Sequence, residues 1–104
     1  MTREELAEQH MRDAWGNVLG SEEGRAVIWS ILQATFLFDQ THVGDALDGF
    51  RAGMREVGLQ VVRNRVQPAG FDMLGKLQRE AAERADRFTL AAKDFNQDED
   101  FIDE

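Results

Sequence analysis

The segment Gly20-Ser21-Glu22-Glu23-Gly24-Arg25-Ala26-Val27-Ile28 holds a helix stop and a helix start within four residues. Gly20 can take the left-handed conformation that closes a helix. Ser21 then offers a side-chain oxygen to the free N–H groups of the next helix, and Glu22 and Glu23 set negative charge at its positive end. Apolar residues recur at three- and four-residue steps on both sides of this turn. Upstream they are Ala7, Met11, Ala14, Trp15 and Val18, behind a capping box in which Thr2 and Glu5 can each satisfy the other's backbone N–H. Downstream they are Val27, Ile28, Ile31, Leu32 and Thr35, with Trp29 on another side. The turn therefore predicts one helix ending at Gly20 and a second from about Glu22 to Thr35.

The same periodicity runs on. An apolar loop, Phe36-Leu37-Phe38, leads through Asp39-Gln40-Thr41-His42 to a third helix from Gly44 or Asp45 to about Val66. Its stripe is Leu47, Phe50, Met54, Val57 and Val61, widened by Gly58 and Val62. Pro68 cannot continue that helix, but its fixed φ suits the first turn of a fourth, to about Leu90 through Phe71, Leu74, Leu77, Ala81, Ala85 and Phe88. No stretch alternates apolar and polar residues as a half-buried strand does. The predicted fold is all-α, a small bundle of about four helices.

The 104 residues suit one domain, and 26 of them are Leu, Ile, Val or Phe, enough for a small core. The absence of Cys excludes disulfides, thiolate metal sites and cysteine nucleophiles. No apolar run approaches the roughly 20 residues that span a bilayer, and the acidic N-terminus does not suit a signal peptide. The net charge of −8 is unevenly placed: residues 92–104 carry six acids and one base. Like charges repel, so the expectation is a helical domain over 1–91 and an extended acidic tail over 92–104. Phe95 and Phe101 within that tail are either anchors for a partner or side chains that fold back on the chain's own helices.

Residues that could carry chemistry do not converge. His10 and His42 have no defined ligand spacing around them. The pairs Glu22/Glu23 and Glu80/Glu83 sit where helix ends and exposed faces place acids, and acid–base work needs a cleft that shifts one pKa. Residues 44–49 lack the alternate donors and closing Glu of a calcium loop. Ser21 and Ser30 lack triad context. No catalytic residue, metal ligand or cofactor site is expected. Gly49, Gly53 and Gly58 in one helix cost up to about 1 kcal/mol each, which a close approach by another helix would explain. That helix belongs either to the same chain or to a docking subunit. Arg51, Arg55, Arg63 and Arg65 give the third helix a basic side, but direct nucleic-acid binding is not expected of so acidic a chain.

Two segments together resemble a known family. Gly20 to Ile28, followed by the helix ending near Phe36, and Phe50-Arg51-Ala52-Gly53-Met54-Arg55-Glu56-Val57-Gly58-Leu59 are similar to a family of small helical proteins of short-tailed bacteriophages, encoded in the virion-structure gene cluster. The resemblance covers roughly residues 12–75 and rests on Glu23, Gly24, Arg25, Phe50, Gly53, Arg55, Gly58 and Leu59. It departs at Ala26 and Met54, where the family has a second Arg, and at Ala52 in place of an acid, so a role for a paired arginine is not carried over. The resemblance implies a non-enzymatic virion or morphogenesis protein, a protein–protein interaction module at the portal/tail interface or among internal ejected proteins. Its implied partners are phage structural proteins, in a homo-oligomer or multicopy assembly, with the virion and the host cytoplasm during assembly as its locations. The expected partner-binding residues are Gly49, Gly53, Arg55, Gly58, Phe95 and Phe101. The rival expectation is a small acidic DNA mimic that inhibits a host nuclease or defence complex.

Overall fold

A computed structural model describes residues 1–35 and 48–102, with side chains to residue 96. The expected apolar loop, His42, Leu47 and the expected start of the third helix lie outside the described residues. The chain forms α1 (Arg3–Leu19), α2 (Glu22–Ala34), α3 (Asp48–Val61) and α4 (Met73–Ile102). A π-helical turn, Val62–Val66, and a 3-10 turn, Gln67–Ala69, link α3 to α4. There is no strand among the described residues, and the fold is the all-α small bundle expected.

Local chemistry sets the helix ends. The Glu5 N–H donates to Thr2 Oγ1 at 3.1 Å, opening α1, and the Gly24 N–H donates to Ser21 Oγ at 3.0 Å, opening α2. Gly20 differs from expectation: its φ of −78° is right-handed. The turn continues the helical sense, with the Gly20 N–H donating to Asn17 O, and the break falls at extended Ser21. The fourth helix also starts later than expected. Pro68 sits in the 3-10 turn, Gly70 is extended, and Asp72 takes a left-handed φ of 49°. The Asp72 carbonyl accepts from the Lys76 N–H, so α4 begins at Met73. Phe71 is consequently fully exposed in the turn rather than on a helix face.

Nor is the acidic segment an extended tail, since α4 runs 30 residues through Ile102. Ala92, Lys93, Gln97 and Glu99 are good helix formers, and α4 propagates through the segment from a nucleus fixed in the body. At about 1.5 Å per residue α4 is about 45 Å long. The radius of gyration, 18.8 Å, exceeds the roughly 13 Å of a compact domain this size.

The core is small: Leu19, Ile28, Leu32, Val66 and Leu77, with Trp15, Trp29, Leu59, Val61, Val62, Met73 and Leu74 packed around them. α2 packs along the first half of α4, α1 packs on α2 through its C-terminal end, and α3 reaches the body chiefly through the π-helical turn. The expected stripes are therefore only partly covered. On α1 Leu19 is buried while Ala7, Met11 and Val18 are exposed, and on α2 Ile28 and Leu32 are buried while Val27 and Ile31 are exposed.

Candidate protein-contact surfaces

One ion pair, Arg25 with Glu80, ties three of the helices together. Gly24 lets the start of α2 lie against the carbonyl of Val18, in space that a Cβ would occupy. One residue on, the Arg25 side chain turns inward and is held from two directions. Its Nε donates to Glu80 Oε1 and Oε2 at 3.0 and 2.9 Å, Nη2 lies 2.8 Å from Oε1, and Nη1 donates to the Leu19 carbonyl at 3.0 Å. These bonds hold the Glu80 carboxyl below the usual carboxylate range and raise Arg25 further. A single guanidinium thus joins the end of α1, the start of α2 and the first half of α4. The partner is Glu80, because α2 runs antiparallel along α4, where Glu22 meets Arg87 at 3.5 Å. Arg65, from the π-helical turn, pairs with Glu8 of α1 at 2.8 Å and holds that carboxyl low.

From this frame α3 projects as an arm. Phe50, Met54, Val57 and Val61 follow at four- and three-residue steps on one face, with Phe50 and Val57 63% and 54% exposed. A Cβ built on Gly49 or on Gly53 meets no atom within 4 Å, so these glycines do not serve packing among the described residues. Gly58 differs, being the buried residue of α3 where the helix joins the body. Arg55 is exposed, and Arg51 lies 3.8 Å from Asp48. Of the expected partner-binding residues, then, Gly49, Gly53 and Arg55 share one exposed arm and Gly58 sits at its root.

Phe95 lies elsewhere, on α4, where it is 69% exposed. Phe101 is on the same helix, and its side chain is outside the described set. The stripe that Leu74, Leu77 and Ala81 turn toward the body continues as Ala85, Phe88, Ala92 and Phe95, all exposed. Where α2 flanks this stripe, Trp29, Gln33, Gln78, Ala81, Ala85 and Phe88 border an open groove of about 480 Å³ that Arg84 also lines. Arg84 Nη1 is buried there without a hydrogen-bond partner. Nothing in the sequence marks Arg84, because arginine on a helix is ordinarily an exposed base.

His10 is exposed on α1. Among the described residues no group of three His, Cys, Asp or Glu side chains could hold a metal ion, and no helix is long and apolar enough to cross a membrane.

A family model described as Bbp19-like phage protein matches residues 15–76, more than half of the chain. The match runs from the end of α1 to the start of α4 and takes in the Gly24–Arg25 turn and the α3 arm. No curated protein and no solved structure matches the chain.

Proposed function

The chain belongs to the family of Bbp19-like phage proteins, and from that premise we propose that it is a non-enzymatic virion or morphogenesis protein that docks on a larger phage assembly. One observation carries the reading: the body leaves the apolar face of α3 in solvent, with Phe50 and Val57 exposed and Gly49 and Gly53 open to close approach. Apolar surface displayed on a projecting helix is a cost to an isolated chain and an asset to one that docks. The portal/tail interface and the set of internal ejected proteins are the two settings that suit a small helical module of this kind. The rival reading, an acidic DNA mimic, has less support. Glu8, Glu22 and Glu80 of the body are each in an ion pair with an arginine, so they do not present a free phosphate-like array.

Mass spectrometry of purified particles tests the proposal. The chain is expected in the particle or in a purified assembly intermediate, and Gly53→Leu should remove it from both while leaving the helical circular dichroism unchanged. Absence from all phage assemblies, with capture of a host nuclease instead, would favour the mimic.

A further inference from the structure

We propose that two copies of this chain pair through the second half of α4, antiparallel and about a two-fold axis. This deepens the docking reading, because it assigns α4 to a second copy and leaves α3 for the larger assembly. Four observations support it. The exposed stripe alternates small and large side chains, Ala85, Phe88, Ala92 and Phe95, at steps of three, four and three residues. Such spacing is the seam of a two-helix coil. In an antiparallel pair, facing positions have a constant sum. Setting Phe88 against Ala92 of the second copy sets Ala85 against its Phe95, so that each ring meets a methyl group and the layers interdigitate. A parallel pair would instead stack ring on ring and methyl on methyl, leaving gaps at the alanine layers.

The groove fits this register. The end of the second copy's helix passes over Ala81 and Ala85 beside Trp29, and its Phe95 enters the open groove of about 480 Å³. Charge agrees as well. The same register brings position 98 of the second copy, an aspartate in the sequence, alongside Arg84, the guanidinium with an unpartnered buried nitrogen. The two-fold axis repeats that pair at the other end. Finally, the last turn of α4 carries no base, and its acids stand at the negative end of the helix dipole. An antiparallel neighbour brings Arg84 to that end and offsets both effects.

The experiment is sedimentation of the full chain, with circular dichroism to check folding. The wild-type chain should be a dimer, with weaker association at high salt. Phe88→Asp, at a solvent-facing position of the single chain, should keep its helicity and raise the dissociation constant by about tenfold or more. Arg84→Asp and Asp98→Arg should each weaken the dimer, and the double variant, which restores opposite charges across the axis, should recover it. Ala91→Cys, the sole cysteine in such a chain, falls beside its own counterpart and should cross-link with a short bis-maleimide, whereas Gly49→Cys on α3 should not. A chain that stays monomeric to concentrations on the order of 100 μM overturns the proposal, as does a dimer indifferent to Phe88→Asp. So does a double variant no better than the single ones. Because the isolated chain is used, these results leave its presence in phage particles as a separate question.

Discussion

In the first half of α4, Leu77 is 1% exposed and Glu80 is gripped by Arg25, whereas farther along the same stripe Phe88 and Phe95 are 66% and 69% exposed. The two halves have the same periodicity and nearly the same apolar content. What separates them is the length of the neighbours: α2 has 13 residues and α4 has 30, so α2 runs out before the stripe does. Helical spacing decides which side chains share a face. Whether that face is covered depends on what lies beside it: one half is covered by α2, and the other by nothing among the described residues.

The sharpest way to break the contrast is to attack the covered half. Arg25→Ala strips the half-buried Glu80 carboxylate and the Leu19 carbonyl of their partner, and should cost about 3 kcal/mol in chemical denaturation, the low end for breaking a buried pair. Leu77→Ala, which leaves a cavity among Leu19, Ile28, Leu32 and Val66, should cost about 2–4 kcal/mol by the same measurement. The Glu80 pair also predicts a pH dependence. Its carboxyl is depressed in the folded state, so the stabilisation is full above the unfolded value of about 4.3 and is lost as pH falls through the lower folded value. Glu80→Gln should flatten that acid limb in a series of urea titrations between neutral pH and pH 3. Ser21→Ala removes one cap bond and should lower stability by about 1 kcal/mol; an unchanged denaturation midpoint would mean the cap contributes nothing. On the uncovered half, Phe95→Ala should change the stability of the dilute chain by less than about 0.5 kcal/mol, as surface substitutions do.

Much of the covered half could be read from residue types alone. Thr2, Ser21 and the apolar steps through Ile28, Leu32 and Leu77 announce the helices and their inner faces, because capping and periodicity are local effects. The Gly24–Arg25 turn stood out as a motif, but its partner Glu80 did not, since a contact between residues 55 positions apart depends on how α2 lies along α4. The acidic stretch misleads for a related reason. Composition over residues 92–104 favours disorder, yet the preceding turns of α4 give that stretch a helix to extend, and nucleation is the costly step. Gly49 and Gly53 stand out in the sequence as glycines within a helix, while only the structure distinguishes them from Gly58 at the arm's buried root.

Hydrogen exchange along α4, followed as a function of protein concentration, tests the division most directly. Amides of the half that packs on α2, through Arg87, should be protected at every concentration, because the body holds them. Amides beyond Phe88 should exchange rapidly in dilute solution and become protected as the concentration rises and copies associate. Uniform protection of α4 in the dilute chain, or a second half whose exchange ignores concentration, would contradict the claim that the exposed stripe is completed by another molecule.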